Sequence, residues 1–276
     1  MLLRFIVWLS LVLAAVVCLL SGAFESYMWL WLLPSVAFGA ALTQIAIVAA
    51  YALLLSKLVK RDKEQDGEAP HYRWFAELAI ESVVPVVRIG VKTKGLEQVP
   101  QGRFVLMCNH VNDLDPLPIL YALPKRQLAF VAKQEVRDLF LVGDFLQKLQ
   151  GQFINRENDR EALKTILNCI RLLKEDKASI AVFPEGRIHD DRKFHHFRPG
   201  VFKIAQKAKV PIVVCTLKNS RYLTKNLTRL KRSDTVLTLL TVIYPEDYEG
   251  KTTTELAEEV YQMMAADLGP ENVAQE

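Results

Sequence analysis

Charge is nearly missing from the first fifth of this chain. Among residues 1–56 only Arg4 and Glu25 carry a charge. Uncharged runs as long as residues 5–24 and 26–56 are rare in water-soluble folds, so a pair of soluble core helices is a poor account of them. Cysteine is scarce as well. Cys18, Cys108, Cys169 and Cys215 sit in apolar surroundings without metal-like spacing. That excludes a disulfide framework and reads as buried thiols in a reducing compartment. No G-x-S-x-G elbow occurs, which removes the obvious serine nucleophile of a lipid hydrolase. Internal repeats and low-complexity tracts are absent. A strong net charge is lacking too. The whole chain has 35 basic and 31 acidic residues; setting Arg4 and Glu25 aside leaves 34 and 30 for residues 57–276. That bias is too small to call for nucleic acid. It suits a surface resting on anionic lipid headgroups and equally an ordinary solvated one.

What is there begins with length. Residues 5–24 give twenty positions without a charge, enough to cross a hydrocarbon core. Residues 26–56 would reach about 45 Å as a helix, more than the roughly 30 Å needed. This second run must tilt or begin nearer Pro34. Arg4 precedes the first run, and Lys57, Lys60, Arg61 and Lys63 follow the second. The positive-inside rule then places both ends in the cytoplasm. A cleaved signal peptide is the competing reading of the first run. The second span runs inward either way, so the remainder is cytoplasmic and the protein is integral to the cell membrane. The expected organisation is a membrane anchor of two transmembrane helices over residues 1–60, a linker over 61–70 and a cytoplasmic domain over 71–276.

Residues 71–87 mix aromatic and aliphatic side chains and read as an interfacial helix or a plain core helix. Beyond them strands and helices alternate. Strands are expected at 88–93, 104–108, 127–132, 152–155, 178–183, 211–217 and 235–243. Helices are expected at 116–123, 133–149, 159–175, 199–208 and 253–268. In 159–175, Leu163, Ile166, Leu167, Ile170 and Leu173 form one apolar stripe. The basic run 218–232 reads as a solvated or membrane-facing surface. The alternation predicts an α/β fold, a mostly parallel sheet flanked by helices, preceded by an N-terminal transmembrane helical hairpin.

Chemistry gathers at the ends of the expected strands, where open α/β sheets bind ligands. The strand 104–108 runs into Asn109-His110-Val111-Asn112-Asp113-Leu114-Asp115-Pro116. A histidine with one ring nitrogen held by a carboxylate presents the other as a base near neutral pH. Asp113 and Asp115 are both candidates for the orienting acid. Asp115 before Pro116 also reads as a simple helix cap. Cys108 beside His110 reads as core rather than nucleophile. A second apolar strand ends in Phe183-Pro184-Glu185-Gly186-Arg187, where Arg187 offers a planar fork suited to phosphate and a surface Glu–Arg turn is the plainer reading. Arg156 follows a third strand, and Lys133 is placed to join an anion site. His189, His195 and His196, with Asp190 and Asp191, match no tetrahedral metal spacing and read as a solvated loop.

At these residues the chain resembles the glycerolipid acyltransferases, the lysophosphatidate acyltransferase family. Asn109, His110 and Asp115 are similar to its N-H-x-x-x-x-D block. Residues 152–156 resemble F-I-x-R, residues 183–187 the F-P-E-G block with its arginine, Phe197-Arg198-Pro199-Gly200 its F-x-P-G, and Val210-Pro211-Ile212 its V-P-I. The resemblance covers about residues 85–245. Three positions depart from it. No hydroxyl residue separates Gly186 from Arg187, Gly151 lies one residue closer to Phe153 than in the commoner pattern, and Asn112 stands where Ser is frequent. The resemblance implies that His110 and Asp115 are catalytic. It implies that Asn109, Lys133, Arg156, Glu185, Gly186 and Arg187 bind substrate. It further implies that an acyl chain passes from acyl-CoA or acyl-carrier protein to the sn-2 hydroxyl of lysophosphatidate, giving phosphatidate, without metal or cofactor. The expected partners are the bilayer, a lysophospholipid acceptor and an acyl thioester donor. Acceptors such as glycerol 3-phosphate, another lysophospholipid or an amino-lipid are the alternative.

Overall fold

The computed structural model describes residues 2–59 and 69–275. The chain divides into two compact units, Met1–Lys63 and Glu64–Glu276. Most of the expected linker, and Lys60, Arg61 and Lys63, lie outside the described residues.

The first unit holds helices α1 (Leu2–Leu20) and α2 (Trp29–Lys57). They touch each other, and the Gln44 side-chain amide donates to Ser10 Oγ at 2.9 Å. In length and composition α2 can cross a bilayer, whereas the apolar stretch Arg4–Leu20 is shorter. The second helix does not wait for Pro34. It starts five residues earlier, keeping Pro34 within its first two turns.

The second unit is built on a seven-stranded sheet. Its strands are β1 (Ile89–Lys94), β2 (Val105–Met107), β3 (Leu128–Lys133), β4 (Gln152–Ile154), β5 (Ser179–Val182), β6 (Ile212–Lys218) and β7 (Ser233–Ile243). Their spatial order is β1-β7-β6-β2-β5-β3-β4. The five strands from β6 to β4 run parallel; β7 is antiparallel to β6, and β1 is parallel to β7. Successive residues of a strand face opposite sides, and both sides are buried. Val105, Met107, Ile180 and Val214 join one core with α6 (Asp159–Lys174), α7 (Lys203–Ala208) and α9 (Thr253–Leu268). Leu106, Cys108, Ala181 and Val213 join the other with α4 (Pro116–Ala122). A sheet covered on both faces needs strands that read as near-continuous apolar runs: β2 is wholly apolar, and β5 is so after its buried Ser179.

Each of the seven expected strands is found within two residues. The helices depart more. The expected helix 133–149 is a 3-10 turn, Gln134–Asp138, followed by α5 (Val142–Lys148). The chain doubles back between them through Leu141 at φ +63°. Gly143 permits this, since a Cβ there would lie 2.1 Å from the Arg137 carbonyl oxygen. The helix α3 (Pro70–Val86) packs Tyr72 and Phe75 against Phe145 of α5, which favours a core helix, although Trp74 is exposed. The stripe on α6 is only half used. Ile170 and Leu173 are buried, whereas Leu163 and Leu167 are exposed. Residues 218–232 are not a plain surface: they contain α8 (Leu223–Thr228), whose Leu223 is buried.

Candidate active site

The parallel register aligns the ends of β2 and β5. Met107 pairs with Val182, so His110 and Glu185 each fall three residues past the last paired position. The His110 backbone N–H donates to Glu185 Oε1 at 2.7 Å. The other oxygen, Oε2, accepts the His195 N–H at 3.0 Å. One buried carboxyl thus ties together the loops after β2 and β5 and the segment carrying His195. Burial, with the negative charges of Asp115 and Asp191 adding to it, pushes this carboxyl up to about 8 against the pull of its two N–H donors.

The acid that reaches the histidine is Asp115. Its Oδ2 lies 3.1 Å from His110 Nδ1 and accepts the N–H groups of Val111 and Asn112, both at 2.8 Å. Asp113 is exposed and sits 3.8 Å from Arg192. The helix-cap reading of Asp115 fails for a reason visible in the chain. A cap bonds the N–H of the second or third helical residue. Pro118 has none, and Leu117 donates to the Leu114 carbonyl at 3.0 Å. With no donor ahead, the carboxylate turns back to the loop before it. The ring of His110 also stacks on Phe183, with centroids 4.0 Å apart and an interplanar angle of 12°. Nδ1 facing a carboxylate carries the proton, and Nε2 keeps its lone pair. It has no protein partner among the described residues.

Asn109 does not face this space. Its amide spans to β6, donating to the Leu217 carbonyl at 3.0 Å and accepting the Leu217 N–H at 2.7 Å. It extends the β2–β6 pairing by side chain where the backbone ladder has ended, so the expectation that it contacts substrate is replaced by a positioning role. Asn112 folds the same loop. Its Oδ1 accepts from Leu114 N and Thr224 Oγ1, and its Nδ2 donates to the Arg221 carbonyl. Burial and the nearby Cys215, Asp115 and Glu185 hold the Cys108 thiol well above its usual range, leaving no thiolate to attack.

The cations divide. Arg156 lies past β4, partly buried, and its pKa is lowered by that burial and then by the charge of Arg198. Arg187 is exposed and makes no hydrogen bond or ion pair among the described residues. The side chain lying across Gly186 is instead Arg198. A Cβ built on Gly186, which has φ +83°, would meet Arg198 Cδ and Nε at 2.9 Å. Backbone geometry fixes this approach, because Arg198 N donates to the Pro184 carbonyl at 2.9 Å. Arg198 was missing from the expected site residues, though its place between Phe197 and Pro199 was the available signal. Lys133, at the end of β3, pairs with Glu135 at 2.5 Å on an exposed face, and the Glu135 carboxylate in turn feels the charge of Arg156. His195 Nε2 pairs with Asp191 at 2.9 Å and His189 stacks on His195 within the loop, while His196 stacks on Tyr261 of α9. Phe194 is buried in that loop and exchanges backbone hydrogen bonds with Asn272 and Ala274.

The arrangement offers an oriented imidazole at a parallel sheet's carboxyl edge, with Arg187 past the neighbouring β5, Arg156 past β4 and Arg198 across Gly186. A family model described as acyltransferase matches residues 90–218, which run from β1 through β6. A 1-acyl-sn-glycerol-3-phosphate acyltransferase of Haemophilus influenzae is 30% identical over 183 residues, covering 65% of this chain and 71% of that one. A probable 1-acyl-sn-glycerol-3-phosphate acyltransferase of Mycoplasma pneumoniae is 26% identical over 203 residues, covering 70% and 75%. In fold the chain is similar to the crystal structure of the 1-acyl-sn-glycerophosphate acyltransferase PlsC from Thermotoga maritima. That likeness has a TM-score of 0.62 at 22% identity, over 83% of this chain and 90% of the other. These findings, joined to the residues at the sheet edge, show that the chain belongs to the 1-acyl-sn-glycerol-3-phosphate acyltransferase family and is an O-acyltransferase of lipid biosynthesis.

Proposed function

We propose that the enzyme transfers an acyl chain from a thioester to the sn-2 hydroxyl of lysophosphatidate, giving phosphatidate. The observation that carries this is the His110–Asp115 contact at 3.1 Å with Nε2 left open. His110 Nε2 takes the proton of the hydroxyl, whose oxygen attacks the thioester carbonyl carbon. The C–S bond breaks, and the thiolate leaves with the proton returned by the imidazolium. Asp115 fixes the ring and stabilises its charged form. Base catalysis of this kind contributes about 10²–10⁴-fold. The balance needs no acyl-enzyme, metal or cofactor. Arg156 and Arg198 hold the acceptor phosphate, and Arg187 assists from the rim. Two guanidinium groups close together favour a dianionic group between them over an uncharged headgroup. Gly186 keeps the approach to Arg198 open, and Glu185 aligns the two loops.

The first unit serves as the anchor. Two apolar helices joined by a polar side-chain contact support a membrane hairpin over residues 1–60. The linker 61–70 then leads to a cytoplasmic domain, and an amphiphilic acceptor reaches the site without leaving the bilayer surface. Purified enzyme given oleoyl-CoA and a panel of lysophosphatidate, glycerol 3-phosphate, lysophosphatidylcholine and an amino-lipid tests the acceptor. Fastest turnover of lysophosphatidate is the expected result; turnover confined to another acceptor would overturn it.

A further inference from the structure

Basic groups flank β2 on both sides, and only one set has been used so far. Arg156, Arg187 and Arg198 lie toward β5 and β4. Toward β6, a cavity of about 420 Å³ is lined by Asn112, Arg192, Arg221, Tyr222, Thr224 and Lys225 among others. It opens beside the loop that carries His110, since Asn112 is two residues on. Its three cations are poorly compensated. Arg192 donates to the Val111 carbonyl at 3.1 Å, with Asp113 no closer than 3.8 Å. Arg221 donates to the Asp191 carbonyl at 2.7 Å. Lys225 has no carboxylate partner among the described residues, and its Nζ rests 5.8 Å from the Tyr222 ring. That ring is 54% exposed, with the Arg221 guanidinium 5.7 Å from its centre.

We propose that this cavity seats the nucleotide end of an acyl-CoA donor. The phosphates lie among Arg192, Arg221 and Lys225, and the adenine stacks on Tyr222. The reaction joins two substrates, and lysophosphatidate has a single phosphate to place. A second cationic site across the base from the first fits a donor that carries several phosphates and an aromatic base. An acyl-carrier protein would also bring negative charge. It needs a broad face of about 800 Å², whereas a cavity of this size falls in the range of small-molecule sites. Base–aromatic stacking and phosphate contacts to cations each supply affinity without touching the chemical step.

The assignment rests on His110 acting at the adjoining site, so the test separates the two. Full-length enzyme in phosphatidylcholine nanodiscs is assayed with oleoyl-CoA, with oleoyl-acyl-carrier protein, and with the oleoyl thioester of N-acetylcysteamine, which lacks the nucleotide. Lys225→Glu and Tyr222→Ala are expected to raise KM for oleoyl-CoA by about tenfold or more. The kcat/KM for the truncated thioester and the KM for lysophosphatidate should move less than twofold. Calorimetry with free CoA should show binding kept in His110→Ala and lost in Lys225→Glu. Equal effects on both thioesters, a raised KM for lysophosphatidate, or unchanged CoA binding in Lys225→Glu would each overturn the cavity assignment. Loss confined to an acyl-carrier-protein donor would overturn it in favour of that protein. An active His110→Ala enzyme would sink the base assignment and leave the cavity standing.

Discussion

His110 and Arg187 stand at comparable places, each a few residues past a buried strand on one sheet edge, yet they are held in opposite ways. His110 is bonded through its ring to Asp115, through its backbone to Glu185, and stacked on Phe183. Arg187 is exposed and unpaired among the described residues. The group assigned to the proton is fixed by packing, whereas the groups assigned to the acceptor are long side chains that range from the partly buried Arg156 to the exposed Arg187. An oriented base tolerates little error in position. A phosphate can be met by flexible cations.

The comparison can be broken first at the base. His110→Ala should lower kcat by about 10²–10⁴-fold in a thiol-release assay while leaving the melting temperature near that of the parent. Asp115→Ala should fail on both counts. It frees the ring and strands the buried Val111 and Asn112 N–H groups, at about 1–3 kcal/mol each in urea unfolding. Among the acceptor cations, Arg156→Ala or Arg198→Ala should raise KM for lysophosphatidate by about tenfold or more, in line with about 1.5–3 kcal/mol for a charged hydrogen bond, with kcat less affected. Arg187→Ala should do less.

A subtler contrast concerns pH. Glu185 has its pKa raised from 4.5 to about 8 in the folded protein. Its contribution is therefore complete at low pH and is lost as pH rises from about 4.5 to about 8, by up to about 1.4 kcal/mol per pH unit. Urea unfolding across that window should show the fall, and Glu185→Gln should flatten it. The smallest effect belongs to α6. Leu163→Ser and Leu167→Ser should change stability by about 0.5 kcal/mol or less, because both side chains already face outward.

Much of this was readable in the chain. Near-continuous apolar runs marked β2 and β5, and their ends marked the site, because a strand buried on both faces has little freedom in pattern. Two kinds of feature were not readable. The resemblance pointed to Asp115, but its turning to the ring of His110 rather than capping the helix depends on Pro118 and Leu117 leaving a cap nothing to bond. Arg198 could be placed only by the fold, since it reaches Gly186 from twelve positions along the sequence. The break at Leu141 and the outward half of the α6 stripe escaped for a related reason: local pattern cannot say where a helix runs out of partners.

The pairing of Phe194 with residues 272–274 gives a distant stretch of chain a hold on the site. His195, the second donor to Glu185, follows directly on a residue whose backbone N–H and carbonyl are both moored to that stretch. A substitution at Asn272 or Ala274 is therefore transmitted to the loop of His110 along a relay of backbone bonds, with no side chain near the substrate altered.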